Sequence, residues 1–174
     1  KKELHIGYVT NGVHFPTWVA SNLRRLYEKY FPQGFNAHVY NIPQWQGVHK
    51  IDDKELWQER MALKMRLIKH IRKHFSDPKH IGFESPRQMV QIAERIRPEV
   101  LTIGFARRFA TYKRAHLLFT NLERLSAIVN NPERPVQFVF AGKAHPHDIP
   151  GQDLIKRIVE VSKMPEFLGK IVFL

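Results

Sequence analysis

The chain has no cysteine, which excludes disulfides, thiolate metal sites and a cysteine nucleophile within its 174 residues. It has no apolar run near the ~20 residues that cross a bilayer. The start, Lys1-Lys2-Glu3-Leu4-His5, has neither an initiator methionine nor the apolar core of a signal peptide. The end, Lys170-Ile171-Val172-Phe173-Leu174, is a strand pattern with no turn after it. Both ends therefore read as cuts inside a longer, cytoplasmic protein. Acidic residues are scarce: 16 Asp and Glu stand against 28 Lys and Arg, a formal charge of +12. Such a balance raises nucleic acid or a membrane surface as partners. The distribution argues against both. The cations gather in Lys64 to Lys73 and in Arg107 to Arg114 and are otherwise thinly spread. No zinc-finger spacing, aromatic RNA-binding signature or basic tail accompanies them.

Several machineries are also missing. There is no nucleophile elbow, P-loop or dinucleotide fingerprint. No pair of carboxylates is placed for glycosidase chemistry. His145, His147 and Asp148 resemble a metal-ligand cluster, but two histidines flanking a proline are a weak signal, and we expect no metal.

What is present is an α/β pattern. His5 to Thr10 reads as a strand, and Asn11-Gly12 as a turn. Trp18 to Tyr30 has helical spacing, Phe31 to Asp53 has no clear period, and a long helix is expected from Asp53 to Phe75. Its cations read as a solvated face. Trp45 and Trp57 read as core or domain contacts. Another helix starts at Ser85-Pro86 and stops before Pro98. From residue 98 the order is strand (Val100 to Phe105), helix (Tyr112 to Asn130), strand (Val136 to Ala141), loop (Gly142 to Gly151), helix (Gln152 to Ser162) and strand (Ile171 to Leu174). This is the doubly wound arrangement, with a near-continuous apolar strand of the kind buried on both faces. We divide the chain into a linking segment, 1–97, and the first β-α-β-α-β part of a Rossmann-like domain, 98–174.

The most informative stretch follows the first of these strands: Gly104-Phe105-Ala106-Arg107-Arg108-Phe109-Ala110-Thr111-Tyr112-Lys113-Arg114. Strand-to-helix edges of α/β sheets bind anions. Arg108 offers a guanidinium fork for two phosphate oxygens, and Lys113 a mobile point charge. Gly104 is expected to let the backbone approach a ligand. No acidic residue lies between Gly104 and Leu122, so local pairing cannot neutralise these charges. Lys143 falls at the same edge. Asn11 suits a sugar hydroxyl or, equally, a plain turn in which Asn-Gly supplies positive φ.

Three segments carry a resemblance: Val9-Thr10-Asn11-Gly12-Val13-His14-Phe15-Pro16-Thr17-Trp18, Thr102 to Arg114, and Phe138 to Pro146. They are similar to the α-glucan (glycogen, starch and maltodextrin) phosphorylases, in their shorter bacterial and archaeal branch. The resemblance implies a GT-B glycosyltransferase fold. It also implies transfer of the terminal glucosyl unit of an α-1,4-glucan to orthophosphate, giving α-glucose 1-phosphate with retention. It implies pyridoxal phosphate as cofactor, with the anchoring lysine and a glycine-rich phosphate segment downstream of Leu174. Arg108 then resembles the arginine that clamps orthophosphate. Lys113 resembles the lysine at the cofactor phosphate and its substrate counterpart. Arg107 stands where many members have lysine facing the cofactor. Tyr112 would touch the glucosyl 2-hydroxyl region, and Asn11 a glucose hydroxyl. The partners implied are a glucan and orthophosphate, with a homo-oligomeric full-length enzyme. The fragment alone is expected to be inactive. A nucleotide-sugar glycosyltransferase resembling glycogen synthase, or a noncatalytic carbohydrate- or nucleic-acid-binding module, is the alternative.

Overall fold

The computed structural model describes residues 7–77 and 85–174. The chain divides into two compact units, 1–60 and 61–174.

The first unit is built on aromatic packing. A single turn, α1 (Phe15–Trp18), precedes α2 (Ser21–Tyr30). The sequence predicts one helix from Trp18 to Tyr30. The chain instead turns extended at Val19 and Ala20, which ends α1 and caps α2. The expected strand before them does not form over its described residues, 7–10, which are irregular; His5 and Ile6 lie outside the described residues. Leu26, Phe31, Phe35 and Ile51 form the core, with Phe15, Tyr27 and Trp45 against it. Phe31 and Phe35 meet edge to face at 4.3 Å between ring centroids, and Phe35 meets Trp45 at 4.9 Å. Such tilted contacts match ring edge to ring face. Trp45 donates its indole N–H to the Val39 carbonyl at 2.8 Å, so its one polar group is satisfied. Trp57, by contrast, is exposed. The segment without period contains two 3₁₀ stretches, Phe35–Ala37 and Ile42–Lys50.

A long helix, α3 (Asp53–Ser76), runs across the division between the units. Within the second unit it buries Ile68, Ile71 and Phe75, a stripe at helical spacing. Next comes α4 (Pro86–Arg95), opened by a reciprocal cap. The Ser85 hydroxyl accepts from the Gln88 N–H at 3.3 Å, while the Gln88 side chain accepts from the Ser85 N–H at 3.2 Å.

Three parallel strands follow: β1 (Leu101–Ala106), β2 (Val136–Ala141) and β3 (Ile171–Phe173), in the order β1-β2-β3. Leu101 pairs with Val136 and Ala106 with Ala141, so β1 and β2 end level. Between β1 and β2 lies α5 (Leu122–Val129), and between β2 and β3 lies α6 (Ile149–Ser162). Alternation along β2 separates two cores. Phe138 and Phe140 pack with Leu125 and Val129 of α5 and Ile158 and Val161 of α6. Val139 packs the other way, with Ile68 and Ile71 of α3 and Ile92 of α4. Helices thus cover both faces, the layering expected of a β-α-β-α-β run. Gln137 is the buried polar residue of β2. Its amide donates to the Arg97 carbonyl at 2.8 Å and the Thr102 hydroxyl at 2.7 Å, and its oxygen accepts from the Arg97 N–H at 3.2 Å.

One expected helix is much shorter than predicted. Tyr112 to Asn130 resolves into 3₁₀ turns at Thr111–Lys113 and Ala115–Phe119, then α5. The break is at Arg114, which takes the left-handed conformation (φ 56°) and cannot continue a right-handed helix. The helix restarts at Asn121, whose side-chain oxygen accepts from the Arg124 N–H at 2.9 Å.

Candidate anion-binding loop at the sheet edge

Because β1 and β2 end level, the chains leaving them run side by side. Phe109 fixes their relation. Its N–H donates to the Lys143 carbonyl at 3.0 Å, and it bridges in parallel to Ala144. Its ring is only 2% exposed, packed 5.3 Å from the Phe105 ring and 5.6 Å from the Phe173 ring. An apolar anchor therefore sits inside a cationic run. Burying it leaves Arg107 and Arg108, just before it, exposed at the carboxyl edge of the sheet.

After Phe109 the chain makes the Thr111–Lys113 turn, which packs against α6. Tyr112 is 75% exposed. The Lys113 ammonium lies over its ring, 5.7 Å from the centroid, a contact that favours a cation on an aromatic face. Arg114 lines a hollow of about 220 Å³ with Ile103, Gly104, Phe105, Ala115 and Leu118 among its walls. Among the described residues, none of Arg107, Arg108, Lys113, Arg114 or Lys143 takes part in an ion pair. Clustered cations without carboxylates repel one another, and an anion relieves that repulsion.

The sequence-predicted residues thus separate into two groups. Arg107, Arg108, Tyr112 and Lys113 come together in one loop of the second unit. Asn11 belongs to the first unit, exposed in the irregular segment before α1. Gly12 there does not adopt positive φ. Gly104 lies inside β1, where a Cβ would meet nothing nearer than the Val139 carbonyl at 4.0 Å, so no protein contact requires glycine there. The glycines pressed against the cationic loop are Gly142 and Gly151.

The loop after β2 is committed to structure. Asp148 caps α6, its carboxylate accepting the Gly151 N–H at 3.0 Å. His145 accepts the His147 N–H at 3.2 Å. Among the described residues, no group of three His, Cys, Asp or Glu is placed to hold a metal ion.

Sequence reasoning missed Phe109. A phenylalanine between Arg108 and Ala110 carries no signal by itself. Its role depends on the neighbouring strand end.

Comparison with known proteins agrees with the resemblance. The chain is 47% identical over 173 residues to a glycogen phosphorylase of Aquifex aeolicus, covering 99% of this chain and 25% of that protein. It is 42% identical over 171 residues to a maltodextrin phosphorylase of Thermococcus litoralis, covering 98% of this chain and 20% of that protein. By sequence the chain belongs with the glycogen and maltodextrin phosphorylases. A Mycobacterium bovis glycogen phosphorylase is 35% identical over 172 residues, again 99% of this chain and 20% of the relative. The chain therefore spans a fifth to a quarter of the length of these phosphorylases. No protein-family model matches it. The phosphorylase similarity runs through both units, so it includes Asn11 as well as the cationic loop.

Proposed function

We propose that this chain contributes the phosphate-binding loop of an α-1,4-glucan phosphorylase. That enzyme moves a terminal glucosyl unit to orthophosphate and releases α-glucose 1-phosphate with retention. The observation that carries the reading is the loop itself. A run of cations with no acidic partner among the described residues is anchored by Phe109 at the end of a parallel strand, in a phosphorylase-like sequence.

The chemistry suits this loop. In our reading Arg108 grips two oxygens of orthophosphate with its planar fork, a geometry lysine lacks. Charge that gathers on phosphate oxygens as the glycosidic bond breaks is stabilised by cations already in place. The Tyr112 hydroxyl hydrogen-bonds near the glucosyl 2-hydroxyl, and the Asn11 amide binds a second sugar hydroxyl. Arg107 and Lys113 fit a phosphate-bearing cofactor, because both are cations that no described carboxylate neutralises. Pyridoxal phosphate, when bound, would supply a phosphate group that exchanges a proton with the substrate phosphate. Arg107 and Lys113 would hold the two anionic groups near each other against their repulsion.

The proposal extends to a GT-B architecture in the whole enzyme. Residues 98–174 would form the first part of its Rossmann-like domain and 1–97 the segment leading into it. The enzyme would be a cytoplasmic homo-oligomer, and this chain alone would be inactive. The test is to supply the full-length protein and pyridoxal phosphate with maltodextrin. Release of glucose 1-phosphate that requires orthophosphate supports the reading. A holoenzyme that releases none from any α-1,4-glucan, but transfers glucose from a nucleotide sugar, would overturn it.

A further inference from the structure

The cationic loop is gripped from two sides by glycines that no side chain could replace without moving it. Gly142 follows β2 directly and takes φ 146°, a conformation that L side chains rarely adopt. A Cβ at this position would overlap the Arg107 carbonyl oxygen and lie 3.3 Å from the Phe109 ring. Gly151, in the first turn of α6, has ordinary helical φ but no space. A Cβ there would come within 2.6 Å of the Phe109 carbonyl oxygen and 2.9 Å of an Asp148 carboxylate oxygen. Both encounters involve backbone oxygens of the loop, which cannot swing aside as a side-chain end can. The two touched residues, Arg107 and Phe109, flank Arg108. The Phe109 N–H bond to Lys143 ties the same point to the residue after Gly142.

We infer that Gly142 and Gly151 are positioning residues that set where Arg107 and Arg108 present their guanidinium groups, and so set the affinity of the site for orthophosphate. The inference rests on the phosphorylase reading and deepens it. Its logic is geometric. A bidentate fork tolerates little displacement, and about 1 Å of misplacement costs on the order of 10²-fold in rate. Among the described residues, neither arginine makes an ion pair that would recentre it. Their aim is therefore inherited from the backbone, and the backbone rests on the two glycines.

The experiment uses the full-length protein with its cofactor, carrying Gly142→Ala or Gly151→Ala. Orthophosphate and maltodextrin are varied separately, and melting temperature is recorded alongside. The KM for orthophosphate should rise about 10-fold or more, while the KM for maltodextrin stays at the wild-type value. An orthophosphate KM unchanged in a variant that melts as a folded protein would overturn the inference. So would a parallel rise in both KM values, which signals general damage. If Gly142→Ala does not fold, Gly151→Ala decides alone, since its helical φ carries no backbone strain. Wild-type protein that releases no glucose 1-phosphate would overturn the phosphorylase reading and this inference together. An active wild type with unaffected variants would overturn the inference only.

Discussion

At the residue scale, the account depends on charges and on what holds them. If Arg108 grips phosphate as a fork, lysine should replace it poorly, because an ammonium keeps the charge and loses the paired bonds. Arg108→Lys in the full-length protein should lower kcat/KM for orthophosphate about 10-fold or more, the loss of one charge-assisted hydrogen bond. Near-wild-type kinetics would show that only charge matters. A second residue-scale prediction concerns Glu55. The Tyr30 hydroxyl donates to it at 2.5 Å and the Lys29 ammonium at 2.9 Å. Tyr30 first, and Lys29 second, hold its carboxyl below the usual carboxylate range. A depressed folded-state value means that its stabilising effect is present above the ordinary carboxylate pKa and is lost as pH falls. Lys29 is exposed and Glu55 only half-buried, so solvent screening keeps the effect small. The melting temperature of Glu55→Gln should lie below wild type at neutral pH, and the gap should narrow at acid pH as the carboxylate is protonated. A constant gap at both pH values would contradict this sign.

At the scale of elements, β2 is the member on which both cores depend, and Gln137 ties it to the chain entering β1. Gln137→Leu removes three hydrogen bonds and leaves the part-buried Arg97 N–H and carbonyl without this partner. Unsatisfied buried groups cost about 1–3 kcal/mol each. The variant should therefore lose about 2 kcal/mol or more in urea unfolding, and a loss below about 0.5 kcal/mol would refute this role. The elements also show what the sequence does and does not disclose. The apolar run Val136 to Ala141 is legible because a doubly covered strand has no polar face to confuse it. The long helix from Asp53 is legible from its buried stripe, and the helix from Ser85 from its cap and proline. The helix expected from Tyr112 fails because one arginine, Arg114, adopts a left-handed backbone that arginine does not favour intrinsically. Its leucine spacing persists through the 3₁₀ stretch, so periodicity alone overlooks the break.

At the scale of the whole molecule, the +12 charge is unevenly placed. Part of it is collected at the sheet edge, and part is spread on the exposed faces of α3. The position of the cationic loop was readable, because a basic run directly after an apolar strand lies at the strand's carboxyl end. Its shape was not. That shape depends on Phe109 pairing with Ala144 and on glycines from two other segments, which are contacts between residues distant in sequence. The aromatic residues of the first unit were visible as a cluster, yet nothing local separated half-buried Trp45 from exposed Trp57.

The most direct measurement is orthophosphate saturation of glucose 1-phosphate release, for wild-type full-length protein beside Arg108→Ala. The account predicts saturable, orthophosphate-dependent release by wild type and a fall of about 10²–10³-fold in kcat/KM for the variant. Equal kinetics for the two proteins would contradict the assignment of the cationic loop to the phosphate site.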